Sequence, residues 1–515
     1  VIVLYKKILI VLLLVASLYS LCSCTSGGNT ADNEPFTVLS SSENEDLEPL
    51  LMEFASKNKI DLRFVYTGSL NIPYMLQANQ RSYDAVWSSN SIWNASISSS
   101  VLKNSKSISV NPVIFAVKKA KYDSLGFSRD TVVSDLVSAV EAGHLKFLMP
   151  SVTQTNSGAS AYIGFLNCLA GNPPVLTEED LNSEALHESL KKLFKGVARN
   201  SGNDEYLIDI FNSGDYDALV NYESSLIELN NRLIKSNKEP LMFIYPSDGV
   251  SVSDSPFAYV DNNNENKLKN FKLLQDFLLS KDTQKKLESM GRRTSYGGLV
   301  ENEEVFKESY GINKNSYISP IKYPAGDVIK KSLALYQDMF RKPSAVVFCL
   351  DYSGSMYGVG NRQLLAAMEK ILNANEASKD LIQFAQHDEI FVIPFEAEPI
   401  WVDSTESGTD TEPLISKIKS TEVNGGTDIY KPVELARDIL SDFDSDTYTK
   451  SIVLMTDGES NGRFENREFD IPVFSIMFGD ANPEQLDEIS RLTNGRTFDG
   501  RTDLINAFKE IRAYN

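Results

Sequence analysis

Histidine is nearly absent from this chain of 515 residues: His144, His187 and His387 are the three, scattered among charged or polar neighbours. They read as solvated surface, which argues against histidine-based catalysis. Cysteine is scarce as well, and none of the four has a partner at metal-cluster spacing. Cys168 sits in an apolar helical pattern and Cys349 in a buried-strand pattern, so both read as small core residues rather than a bridge. Positive charge is short: 50 Lys and Arg face 70 Asp and Glu, a net charge of −20. Such a surface repels nucleic acid and anionic lipid, and favours cations and basic partner surfaces. Beyond the N-terminus no apolar run is long enough to span a membrane.

The N-terminus sets the address. Lys6 and Lys7 precede an apolar stretch, Ile8 to Leu21, shorter than the ~18–20 residues of a spanning helix. A basic start, a short apolar stretch and a small-residue exit make a secretory signal. The exit, Leu21-Cys22-Ser23-Cys24, resembles a bacterial lipobox, with Cys22 an unusual occupant and Val1 a non-Met or trimmed start. The resemblance implies a lipoprotein signal peptide over residues 1–24, with cleavage before Cys24 and diacylglycerol on its thiol. An uncleaved N-terminal anchor is the alternative. Either way the remainder lies outside the cytoplasm, on a bacterial cell membrane. Residues 25–35, small and polar, read as a flexible tether.

The length exceeds what one core supports, and 42% hydrophobic residues suffice for packed cores. Over residues 36–317 short apolar strands alternate with helical patterns. Phe36 to Leu39, Leu62 to Tyr66 and Tyr83 to Trp87 are strands, and Leu47 to Ser56 is an amphipathic helix. The alternation predicts an α/β class, with parallel sheets under covering helices.

The order of segments here resembles a bacterial extracellular solute-binding protein. The matching stretches are Ser40-Ser41-Ser42, Asp84 to Ser89, Asn111 to Val117, Asn156-Ser157-Gly158, Gly214 to Ser224, Tyr245 to Gly249, and the run from Phe277. The resemblance implies two lobes joined by a hinge, closing over a small ligand, with the chain leaving the first lobe near Asn111 and returning near Tyr245. Ser41, Ser89, Asn156, Ser157, Tyr222 and Glu223 are the candidate ligand-binding residues. Hydroxyls and the free N–H groups of a helix start favour anionic or carbonyl oxygens. Each has a plainer reading: Asn156 or Ser157 as an N-cap, Glu223 as a structural acceptor, and Trp87, a candidate pocket wall, as core.

Residues 318–343 read as a linker helix. Val328, Ile329, Leu333, Tyr336, Met339 and Phe340 share one helical face, so the helix should dock one domain on the other. Over residues 344–515 the pattern restarts. Strands are expected at Val346 to Leu350, Ile390 to Phe395, Ile452 to Met455 and Val473 to Phe478. Helices are expected at Gln363 to Gln383, Glu412 to Ser420, Tyr430 to Leu440, Pro483 to Arg491 and Asp503 to Arg512.

Three motifs stand out there: Asp351, Ser353 and Ser355 in D-Y-S-G-S, Thr427 after Gly425-Gly426, and Asp457 in Thr456-Asp457-Gly458. Two carboxylates and three hydroxyls, at the ends of three strands, form a ligand set for one hard cation. Alternate residues of an extended segment point the same way, so Asp351, Ser353 and Ser355 converge. Oxygen-only ligation suits Mg²⁺, with Mn²⁺ or Ca²⁺ as alternatives. The segment closely resembles a von Willebrand factor type A domain, a doubly wound, Rossmann-like fold with a metal-ion-dependent adhesion site. The resemblance implies that these five residues hold the metal while a protein partner supplies an acidic residue to it. Tyr352 and Met356 read as partner contacts or as local packing.

Three functions compete: metal-dependent protein binding or adhesion, solute reception for a membrane transport system with the A domain as accessory, and phosphoryl-transfer catalysis. The last lacks support, because no P-loop occurs and no second Asp follows Asp351 at two residues. The expectation is a lipid-anchored binding protein and not an enzyme. A small molecule is expected in the N-terminal cleft, and nucleic acid is not.

Overall fold

A computed structural model describes residues 34–513, apart from 295–297, 313–320, 406, 459, 461, 465–469 and 478–481. Cys24 and its surroundings lie outside the described residues. Among the described residues, no helix is long and apolar enough to cross a membrane.

Strands β1 (Phe36–Ser41), β2 (Leu62–Thr67), β3 (Ala85–Trp87) and β4 (Leu102–Ser107) come first. Strands β5 (Ser109–Val117), β6 (Phe147–Pro150), β7 (Val197–Ser201), β8 (Ala218–Tyr222), β9 (Met242–Ile244), β10 (Ser251–Ser253), β11 (Pro256–Val260) and β12 (Arg293–Thr294) follow. One sheet runs β2-β1-β3-β11-β4, with β1 parallel to β2 and β3. The interior strand β1 is buried on both faces: Val38 enters one apolar cluster with Trp87, and Leu39 the opposite one with Val86. A second sheet runs β10-β5-β8-β6-β7, with β9 and β12 also pairing β5.

The chain leaves the first lobe at Ile108, between β4 and β5, and returns at Asp254-Ser255, between β10 and β11. The return is later than the expected Tyr245. Both β9 and β10 still pair with β5, and this pairing keeps Tyr245 in the second lobe.

Helix α1 (Asn156–Leu169) is buried along nearly its whole length in the second lobe. Helix α2 (Gly326–Leu335), the linker, continues as a wider turn over Tyr336–Phe340. Val328, Ile329, Leu333, Tyr336 and Phe340 enter the second-lobe core, where the Tyr162 hydroxyl donates to the Ser332 carbonyl at 2.9 Å. Met339 was expected on that face but is 41% exposed. The wider turn takes more residues per revolution, so Phe340 keeps the buried face and Met339 rotates off it. His187 also departs from the surface reading. It is half-buried, its ring lies 5.3 Å from that of Phe340, and its Nε2 is 2.6 Å from the Leu181 carbonyl oxygen.

The linker ends on the third sheet's domain. Gln337 donates to the Gln383 carbonyl at 2.8 Å, and Arg341 pairs with Asp388. The sheet comprises β13 (Ser344–Asp351), β14 (Glu389–Phe395), β15 (Asp403–Ser404), β16 (Thr449–Thr456), β17 (Val473–Met477) and β18 (Arg496–Asp499). Their order is β15-β14-β13-β16-β17-β18, parallel except for β15. Along β13, Val346, Phe348 and Leu350 face one core while Ala345, Val347 and Cys349 face the other. The strands β15 and β18 were not anticipated; they are two and four residues long and carry little apolar signal. The helix expected over Gln363 to Gln383 is α3 (Val359–Leu372) instead. Asn373 breaks it by turning its Oδ1 to the Glu376 N–H at 3.1 Å, which caps a short new helix. Helices α4 (Glu412–Ser420), α5 (Tyr430–Ser441), α6 (Pro483–Leu492) and α7 (Gly500–Ala513) complete the layers.

Candidate functional site

The parallel register sets Asp351 opposite Phe395 and Leu350 opposite Met455, so the carboxyl ends of β14, β13 and β16 form one edge. Asp351 is fully buried there. Its Oδ1 accepts from the Ser353 N–H at 2.8 Å and its Oδ2 from the Thr456 hydroxyl at 2.6 Å. Burial pushes its carboxyl pKa up, hydrogen bonds from Ser353 and Thr456 oppose the rise, and the Asp457 charge adds to it. The Ser353 and Ser355 hydroxyls lie 3.1 Å apart, and Ser355 donates to Asp457 Oδ1 at 2.8 Å.

Thr427 arrives differently from the expectation. It follows no strand, but sits in the loop between α4 and α5. Backbone bonds tie that loop over the edge: Asn424 N–H to the Tyr352 carbonyl at 2.9 Å, Gly354 N–H to Gly425 at 3.2 Å, and Asp428 N–H to Glu396 at 2.9 Å. A Cβ added to Gly458 would lie 3.3 Å from the Thr427 hydroxyl and 3.6 Å from that of Ser355. The five side chains are therefore gathered in one place. Two contributors escaped the sequence reading. Thr456 orients Asp351, and its signal was its place beside Asp457. Glu396 lays its carboxylate against Gly425, where a Cβ would collide with it. Tyr352 and Met356 are fully buried, and the Tyr352 hydroxyl donates to the Ile418 carbonyl at 2.6 Å, so both are packing residues. Tyr357 and Val359, just beyond, are 85% and 61% exposed.

Between the two lobes lies a cleft of about 300 Å³. Ser89 and Tyr222 line it, together with Glu43, Asp46, Asn111, Ser224, Ser253 and Arg292. Ser41, Asn156, Ser157 and Glu223 do not line it. The Ser41 hydroxyl accepts from Asn44 at 3.1 Å. Asn156 is a buried tie behind the cleft: its Oδ1 accepts from the Trp93 indole at 2.6 Å, and its Nδ2 donates to Ser253 at 2.8 Å and to Tyr222. The cap of α1 is neither Asn156 nor Ser157, but Thr155, which accepts from the Gly158 N–H at 3.0 Å. Glu223 is fully buried against Arg293, with contacts of 2.5 and 2.7 Å, and also accepts from Tyr245. Its role is structural. Its partner lies 70 residues away, and no local pattern announces the pair. Trp87 is core, its indole donating to Ser255 at 3.0 Å.

Residues 36–293 match the family described as bacterial extracellular solute-binding protein, and residues 346–459 the von Willebrand factor type A domain. No curated protein matches the sequence. Among solved structures, the periplasmic binding protein AfuA of Actinobacillus pleuropneumoniae, with fructose-6-phosphate bound, is 16% identical with a TM-score of 0.44, over 59% of this chain and 98% of that one. The ferric binding protein of Campylobacter jejuni is 15% identical with a TM-score of 0.44, over 58% and 98%. The maltose-bound MalE3 of T. maritima is 13% identical with a TM-score of 0.45, over 59% and 93%. The first family match spans half of the chain, so the protein belongs to the bacterial extracellular solute-binding family, with a von Willebrand factor type A domain as its second module.

Proposed function

We propose that this protein is a membrane-anchored, extracytoplasmic binding protein whose A domain grips an acidic residue of a partner protein through one divalent cation. The observation that carries this reading is the convergence of Asp351, Ser353, Ser355, Thr427 and Asp457 at one sheet edge. The donor set fits the proposed ion. It is all oxygen, which suits Mg²⁺, with Mn²⁺ or Ca²⁺ as alternatives. Two carboxylates only balance a dication, and hydroxyls are weak donors. Such an ion would offer the partner's carboxylate an electrophilic coordination place. The chain's own work is positioning: Thr456 and the Ser353 N–H fix the Asp351 carboxylate, and Ser355 fixes that of Asp457. Tyr357 and Val359 give the partner an exposed apolar foothold beside Ser355. No catalytic step is assigned.

Mg²⁺ at about 100 times its Kd should stabilise the full chain's A domain by about 2.7 kcal/mol. For a domain of this size that raises the thermal midpoint by roughly 5–10 °C. Asp351→Ala should abolish the rise, and a rise that survives the substitution overturns the reading. Capture of a protein partner should likewise be lost in chelator. A lipid on Cys24 supplies the anchor; Cys24→Ser should release the protein from membranes in a fractionation assay, and retention contradicts the anchor.

The second reading, solute reception for a membrane transport system, is favoured by the polar cleft of about 300 Å³ between the lobes. The two readings are compatible, since each uses a different module.

A further inference from the structure

The interlobe cleft has a charge arrangement that is independent of the A-domain reading. Three carboxylates line it, from Glu43, Asp46 and Glu228. Two have cationic partners: Asp46 accepts from Arg292 at 2.8 Å, and Glu228 from Arg232 at 2.5 Å. Arg292, the cationic side chain of the lining, makes its other bond to the Glu43 backbone carbonyl at 2.6 Å, not to the carboxylate. The Glu43 carboxylate forms no ion pair among the described residues. It accepts from the Ser69 hydroxyl at 3.2 Å, and Ser69 lies 2.5 Å from Ser89.

A solute anion entering this corner would meet a like charge on the Glu43 carboxylate. A cation would meet a carboxylate that lacks a counter-ion. Burial pushes the Glu43 carboxyl pKa up, with hydrogen bonding to its own backbone and to Ser69 opposing, so a positive charge beside it relieves a cost the fold carries. The volume, about 300 Å³, fits a small molecule, and Ser89, Ser224 and Tyr222 surround it with hydroxyls.

We propose that the cleft is a site for a small organic cation bearing a primary amine, that the Glu43 carboxylate recognises its ammonium group, and that the same carboxylate excludes anions. The test uses the full chain in chelator, so that the A-domain metal plays no part. Isothermal calorimetry is run with putrescine, ethanolamine and glucosamine as amines, and with inorganic phosphate and citrate as anions. At least one amine should bind the wild type while neither anion does, and Glu43→Gln should weaken that amine at least tenfold, the loss of one charge-assisted contact. Glu43→Asp keeps the charge but withdraws it, so it should weaken the amine while still refusing phosphate; this variant serves if Glu43→Gln does not fold. Failure of all three amines to bind, a loss of less than tenfold in Glu43→Gln, or binding of phosphate or citrate to the wild type overturns the proposal. None of these outcomes depends on the metal reading.

Discussion

Replacing Asp388 with asparagine should unfasten the junction between the two modules. Asp388 is fully buried and serves three parts of the chain at once. Arg341, at the end of the linker, donates to it from both Nη atoms, Nη1 at 2.8 Å. The N–H of Ser344, which begins β13, donates at 2.7 Å, and that of Ala385 at 2.8 Å. Arg512, near the end of α7, stands 3.8 Å away. Burial raises the Asp388 carboxyl pKa, but Arg341 and then Arg512 outweigh it and hold it below the usual carboxylate range. Burial, together with the like charge of Arg341, pushes Arg512 down to about 9.

Asparagine keeps one acceptor for the backbone N–H groups and removes the charge. Two buried guanidinium groups are then left without it, a change that costs about 3–5 kcal/mol. With a urea slope of roughly 2 kcal/mol per molar, the A-domain midpoint should fall by roughly 1.5–2.5 M. The assay is urea unfolding followed by tryptophan emission, in which Trp401 reports the A domain while Trp87 and Trp93 report the first module. A fall below roughly 0.5 M refutes the reasoning. The pH dependence has a definite sign. A carboxylate depressed in the folded state stabilises above its unfolded value of about 3.9, and that stability is lost as pH falls through the lower folded value. The wild type should therefore weaken below about pH 4, and Asp388→Asn should show a shallower acid slope there.

Much of the architecture was legible because it rests on local patterns. The continuous apolar run from Val346 to Leu350 announces a strand covered on both faces, and β13 is so covered. Cys168 and Cys349 are buried free cysteines. D-Y-S-G-S named the right three side chains, but not by the alternation expected of an extended segment: β13 ends at Asp351, and a 3-10 turn over Gly354–Met356 brings the Ser355 hydroxyl to that of Ser353. What stayed hidden is set by partners distant in sequence. The loop carrying Thr427 is placed by bonds to Tyr352, Gly354 and Glu396 rather than by a strand before it. Glu223 looked like a ligand contact until Arg293 and Tyr245 claimed it. The break at Asn373 was missed because apolar periodicity runs through it, while the side-chain cap that decides the matter is one residue's choice. Glu43 gave no signal at all, since its place in the cleft is shared with residues far along the chain, such as Tyr222 and Arg292.

Two further predictions concern single side chains. Glu223→Gln should cost about 3–5 kcal/mol in denaturant unfolding of the first module, because Arg293 is then buried without its counter-ion. A loss under roughly 1 kcal/mol would mean that the pair is not the tie between the helix start after β8 and β12 that its geometry indicates. Gly425→Ala tests the loop that brings Thr427 to the sheet edge. Gly425 has φ +71°, a left-handed conformation that costs an alanine about 1–2 kcal/mol. A Cβ there also collides with the Glu396 carboxylate, so that side chain must leave its place. The two costs separate in a double-mutant cycle. Gly425→Ala alone should destabilise the A domain by about 2–3 kcal/mol, and in the Glu396→Ala background by only the backbone share, about 1–2 kcal/mol. The same loop carries Thr427 two residues on, so the Mg²⁺-induced rise in midpoint should shrink in Gly425→Ala and return in part when Glu396 is also removed. Equal losses in both backgrounds would show that Glu396 is free to swing aside, and that the loop is held by its backbone bonds to Tyr352 and Gly354 alone.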